Sequence, residues 1–154
     1  MKLLYKIIFI VATFLIGNTA IAQNKDEQLA AQFFSNNEYD KAAELYEKLL
    51  SKNLTSIYFY DNLLQSYIKL KKLDDAESLC KKMYRKLGVA YYGVDIGFIY
   101  KLDHKPEKAQ KQFEEMLKKI IPNQDRIFET ANAFEKRDEI DLATRTYLQG
   151  RKLL

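Results

Sequence analysis

The sequence predicts an all-α protein, an α-solenoid of antiparallel helix pairs, and three observations carry that prediction. Phe33, Tyr67, Tyr100 and Phe134 follow one another at intervals of 34, 33 and 34 residues. Nine residues after each aromatic comes an alanine, at Ala42, Ala76, Ala109 and Ala143, and four residues later Tyr46, Cys80, Phe113 or Tyr147. Five Gly and two Pro in 154 residues are few for a chain of many short strands and suit long helices joined by short turns. Self-similarity near this period marks units too small to bury their own apolar faces, which must stack on a neighbour. About eight helices are expected, in repeats over residues 23–56, 57–89, 90–123 and 124–154, together one domain over 23–154.

The amino terminus is different in kind. Lys2 and Lys6 form a basic start, Ile7 to Gly17 is apolar except for Thr13, and Ala20-Ile21-Ala22 supplies the small residues that a signal peptidase reads. Residues 1–22 are therefore expected to be a signal peptide cleaved before Gln23. The apolar core is well short of the ~20 residues that a membrane-spanning helix needs, so the mature chain is expected to have no span. Without Lys2 and Lys6 the chain has 23 basic and 21 acidic residues, a net charge of +2 where the whole chain has +4. Lysines alternate with glutamates rather than forming one basic stripe, which argues against a nucleic-acid partner.

Within the mature chain, apolar steps of three and four mark helices. Leu29, Ala30 and Phe33 precede an Asn36-Asn37-Glu38 turn; Ala42, Leu45, Tyr46, Leu49 and Leu50 follow it. The second unit repeats this with Tyr60, Leu63, Leu64 and Tyr67, a Lys71-Lys72 turn, then Ala76, Leu79, Cys80 and Met83. Ile57-Tyr58-Phe59-Tyr60 has strand propensity, but its place in the period requires a helix. The third unit is the least comfortable: Gly93 and Gly97 fall inside a required helix, at about 0.8–1 kcal/mol each relative to Ala. Its second helix is firmer, since Pro106 suits a first helical turn. The fourth carries Ile127, Ala131, Phe134, Ala143 and Tyr147, and an apolar surface on this last pair is expected to stay bare because no polar capping element follows it.

These residues resemble the tetratricopeptide repeat, over essentially all of the mature chain. The positions that the motif keeps small at the helix crossing hold Ala30, Leu64, Gly97 and Ala131 on the first helices and Ala42, Ala76, Ala109 and Ala143 on the second. Tyr39, Leu73, Pro106 and Ile140 fill a further large position. Two features depart from the motif: the proline near the end of each unit is absent, with Leu54, Gly88 and Ile121 there and Pro122 one place late, and Gly93 replaces a large residue.

The resemblance implies a concave groove lined by the first helix of each pair, and on this sequence the groove residues are Phe34, Tyr58, Asp61, Gln65, Lys69, Tyr91, Val94, Phe98, Phe128 and Asn132. Such a mixed aromatic surface suits a protein or peptide partner. The family's basic clamp for a carboxy terminus is missing, because Glu27, Ala31, Tyr91 and Asp95 occupy its places and only Asn62 could stand in. No catalytic, cofactor or metal site is expected: His104 is the single histidine, in a charged turn, and Cys80 fills a core slot. The expected function is an exported, periplasmic or secreted, non-catalytic interaction scaffold. The alternative is an assembly subunit, or the first part of a longer array, that associates through its C-terminal repeat.

The small-against-large logic makes a first prediction. In denaturant melts, Ala76→Leu overpacks its helix pair at a cost of about 1–3 kcal/mol, and Tyr67→Ala costs about 3–5 kcal/mol where the ring is buried.

Overall fold

The structure, a computed structural model, describes residues 25–154; the expected signal segment, residues 1–22, lies outside them. The described residues form eight helices and no strand, so the fold is the expected all-α helical-repeat solenoid. Two compact units divide between Lys71 and Lys72, inside the repeat expected over 57–89.

In the first unit, α1 covers residues 25–35, followed by α2 (Tyr39–Lys52) and α3 (Ile57–Lys69). Ala30, Ala42, Ala43, Tyr46, Leu49, Leu50, Phe59 and Leu63 are buried. α2 packs on α3, with the Tyr46 ring 6.2 Å from Tyr58 and 6.5 Å from Phe59. Lys48 of α2 reaches Asp26 of α1 at 2.9 Å. α3 begins where Ser56 accepts from the Phe59 N–H, satisfying one of the donors that a helix start leaves open.

The second unit contains α4 (Leu73–Leu87), α5 (Ala90–Leu102), α6 (Pro106–Lys118), α7 (Gln124–Lys136) and α8 (Ile140–Arg151). α5 is its central helix, packed against α4, α6 and α7, and every residue from Tyr92 to Gly97 is buried. The two glycines that made it the least comfortable helix are what its crossing with α6 requires. A Cβ on Gly97 would lie 2.2 Å from the Phe113 ring, and one on Gly93 would lie 2.2 Å from Met116 Sδ. The large residue missing at Gly93 is thus replaced from the facing helix by Met116. The Gly93 carbonyl also accepts from Gln112 Nε2 at 3.0 Å. Phe113 then meets Phe134 edge to face at 5.6 Å, within a core that includes Val94, Ala109, Leu117, Ile127, Leu142 and Ala143.

All four spaced alanines are buried, and so are Ala30, Leu64, Gly97 and Ala131 at the crossings. The spaced aromatics divide. Phe134 is fully buried, whereas Phe33, Tyr67 and Tyr100 are half-buried. Tyr67 donates to Glu47 Oε1 and Tyr100 to Glu77 Oε1 at 3.1 Å. Lys41 lies over Phe33 at 5.2 Å, and Lys81 and Lys108 over Tyr100 at 5.7 and 5.8 Å. Because the Tyr67 ring keeps one side in water, its truncation costs less than the range for a buried ring.

The turns repeat as faithfully as the core. Asn37, Lys71, His104 and Asp138, four residues after each spaced aromatic, have φ of 62, 58, 53 and 61°. In three turns the next N–H bonds back to the aromatic's own carbonyl: Glu38 to Phe33, Lys105 to Tyr100 and Glu139 to Phe134, at 2.9, 2.9 and 3.0 Å. This is the Schellman closure of a helix, which favours glycine at the left-handed position. None of the four is glycine, and each holds a conformation that costs an L-residue about 1–2 kcal/mol.

Two substitutions at opposite kinds of position separate these effects in urea melts. His104→Gly relieves the left-handed turn and stabilises by about 1 kcal/mol. Gly97→Ala drives a methyl into Phe113 and destabilises by about 1–3 kcal/mol.

Candidate functional site

The ten groove residues fall into accessible and committed sets. In the first unit, Tyr58, Asp61, Gln65 and Lys69 share one face of α3 by their three- and four-residue spacing. Tyr58 is 48% exposed and Lys69 is exposed, while Asp61 and Gln65 are half-buried. The Tyr58 ring is seated edge-on against Tyr46 and Phe59, the latter at 5.8 Å. Phe34 is half-buried, its ring 5.4 Å from Tyr39. Asn62, the one stand-in for a carboxylate clamp, spends its amide on the Tyr58 carbonyl at 2.8 Å.

Tyr46, beneath Tyr58, is fully buried, and its hydroxyl makes no hydrogen bond of good geometry among the described residues. Burial first, then the neighbouring Tyr58 hydroxyl, pushes the phenol well above its ordinary pKa. It stays neutral across the physiological range.

In the second unit the expected groove is largely filled by the protein itself. Val94 is a correction: it is fully buried in the core, because α7 packs directly on α5, and it presents nothing to a partner. Phe98 lies under the Arg137 guanidinium at 4.6 Å. Tyr91 lies 4.8 Å under Lys136, whose ammonium also donates to the Tyr91 hydroxyl at 2.5 Å. These contacts between cations and ring faces make both aromatics internal partners. Phe128 is 46% exposed, with its ring 5.7 Å from Tyr147, and exposed Asn132 accepts from the Tyr147 hydroxyl at 3.3 Å.

The Arg137 guanidinium over Phe98, also 6.0 Å from the Tyr91 ring, is fixed by a buried ion pair that sequence reasoning missed. Asp95 Oδ1 accepts from Arg137 Nε at 2.5 Å, with the two side chains 1% and 6% exposed. Arg137 stands at the C-terminal cap of α7, where a cation also meets the negative end of the helix. An aspartate inside the apolar run Val94-Asp95-Ile96 was the available signal, since a buried carboxylate requires a partner. Its partner, 42 residues away, had no local mark. His104 is exposed in its turn and Cys80 is a buried free thiol. The described residues hold no group of three or more His, Cys, Asp or Glu able to bind a metal. No helix among them is long and apolar enough to cross a membrane.

This architecture defines a helical-repeat protein. Residues 58–86 match the family model of the PPR repeat, within the repeat expected over 57–89. The fold is similar to a crystal structure of MamA protein, at 14% identity and a TM-score of 0.50 over 85% of this chain and 72% of that one. A second MamA crystal structure is similar at 15% identity and 0.49, over 85% and 77%. MamA from Desulfovibrio magneticus RS-1 (41-end) is similar at 13% identity and 0.48, over 85% and 75%. Identities this low show a likeness of fold alone. A search of curated proteins finds no match.

Breaking the ion pair one partner at a time tests its weight. Asp95→Ala leaves a guanidinium buried without its carboxylate and costs about 3–5 kcal/mol. Asp95→Leu with Arg137→Met costs much less than the sum of the two single changes, so the double-mutant cycle shows coupling of at least about 2 kcal/mol.

Proposed function

We propose that the chain is an exported, non-catalytic scaffold of tetratricopeptide type that binds a protein or peptide partner, and that the α3 face of the first unit is the contact surface. The carrying observation is Tyr58. Its ring is 48% exposed yet held from below by Tyr46 and Phe59, so little conformational freedom remains to be lost on binding. Aromatic anchors of this kind supply a large contact area at low entropic cost and dominate interface energies. Asp61, Gln65 and Lys69 continue the face for eleven residues beyond Tyr58, about 16 Å of helix, with a mixed-sign polar rim suited to a short segment of partner chain. Tyr91, Val94 and Phe98 leave the proposed surface because the protein already occupies them. Export rests on the basic start, apolar core and Ala20-Ile21-Ala22 site of residues 1–22.

The test is affinity capture from an envelope fraction, with the bait beginning at Gln23 and compared with Tyr58→Ala/Gln65→Ala. The wild-type bait retains a protein partner, the double variant loses at least about tenfold of it, equivalent to ~1.4 kcal/mol, and circular dichroism shows equal helix content. Equal retention by both baits overturns the assignment. So does release of the partner by ribonuclease, which would move the chain to the nucleic-acid reading that the PPR match over 58–86 invites. Mass spectrometry of the exported protein is expected to find Gln23 at the amino terminus.

A further inference from the structure

α8 differs from the corresponding helices α2, α4 and α6 on one face. In those three, the residue after the core slot of Tyr46, Cys80 or Phe113 is polar, and each engages another helix of its own unit. Glu47 accepts from Tyr67 of α3, Lys81 lies over the Tyr100 ring of α5, and Glu114 is held by both Nη atoms of Arg145 of α8, at 2.9 and 3.1 Å. The equivalent position in α8 is Leu148, 49% exposed. Beside it are the half-buried Tyr147 and the exposed Phe128.

Asp141, Thr144, Leu148 and Arg151 are all exposed and lie along one stripe of α8, by steps of three and four. Asp141 stands in the first turn and Arg151 in the last, and neither has an ion-pair partner among the described residues. The remaining charge within the helix, Arg145, is already taken by Glu114. An acid at one end, a base at the other and a leucine between them form a self-complementary face. Placed antiparallel about a two-fold axis, two such helices set each Asp141 opposite the other's Arg151 and each Leu148 opposite the other's Thr144, with the two leucines flanking the axis about 6 Å apart along the helices.

We propose that the chain pairs with a second copy of itself through α8, antiparallel, with Asp141 and Arg151 crossing the two-fold axis and Leu148, Tyr147 and Phe128 forming the apolar centre. A head-to-tail contact is disfavoured by what α1 offers. Lys25 stands at the place that Phe59 and Tyr92 occupy in α3 and α5, and Gln28 and Gln32 share its exposed face, so the polar side chains there leave Leu29, 38% exposed, to meet an end-to-end stack. A 12-residue helix is about 18 Å long. The contact therefore belongs to the small, transient interface class, below about 1,200 Å², and the dimer depends on concentration.

Sedimentation equilibrium of the purified full-length chain tests this. The expected result is a monomer–dimer equilibrium that Leu148→Glu abolishes and that Asp141→Arg or Arg151→Asp alone weakens at least about tenfold. The double exchange Asp141→Arg/Arg151→Asp restores it to within about threefold, because each exchanged charge again meets its opposite. All three substituted positions are exposed, and matched circular dichroism spectra establish that each of the four variants is folded. Absence of a dimer up to about 1 mM, association untouched by these variants, or a double exchange as weak as the single ones overturns the proposal. So does a different protein that requires Leu148 for binding while the chain stays monomeric.

Discussion

Close approach of helix axes is the constraint on which the rest of this structure depends. Small residues at the crossings let neighbouring helices come near enough for their large residues to interlock, and the clearest case is Gly97, with no room for a methyl beside Phe113. The ring admitted there continues to Phe134 on α7, so one missing side chain on α5 connects α5, α6 and α7 into a single core. Its intrinsic cost to the helix, about 1 kcal/mol, is offset by burial of Phe113 and an edge-to-face pair worth about 0.5–1.5 kcal/mol beyond its area. The same principle at Ala42, Ala76, Ala109 and Ala143 explains why alanine recurs where leucine would be the better-buried residue.

The turns add a second, backbone-level constraint. Each Schellman closure uses the carbonyl of the spaced aromatic, so the residue that fills the edge of a helix pair also ends the helix to which it belongs. Packing and chain reversal are thereby tied to one position in the period. The left-handed residue in these three closures is Asn37, His104 or Asp138, and Lys71 has the same positive φ in the fourth turn. The single histidine of the chain has a structural place among them.

The buried Asp95–Arg137 pair and the neighbouring Lys136 take up aromatic rings that a partner would otherwise meet. Fixed by its carboxylate, Arg137 covers Phe98 while Lys136 covers Tyr91. The surface that a repeat register assigns to binding is therefore spent on internal cohesion in α5. In α3, the equivalent of Asp95 is Asn62, whose amide turns back to its own helix, and Tyr58 keeps its outer face. Two helices at the same place in the period thus have opposite uses, because α7 brings Lys136 and Arg137 against the rings of α5.

The periodic aromatics and alanines made the helix count, the turn positions and most of the core legible, because burial at a fixed interval leaves its mark directly in residue size. Strand-like stretches such as Ile57–Tyr60 were also readable as helix, since their neighbours in the period outweighed local preference. Contacts between residues far apart in the chain were not readable: the Arg137 that neutralises Asp95, the Met116 that stands in for a side chain at Gly93, and the burial of Val94. The sequence by itself determined that helices form, where they reverse and which of their faces must be covered, because periodicity and residue size act through each element alone. Only the tertiary structure decided which aromatic rings those coverings left exposed, because a ring's freedom depends on the charge and volume that a distant helix brings against it.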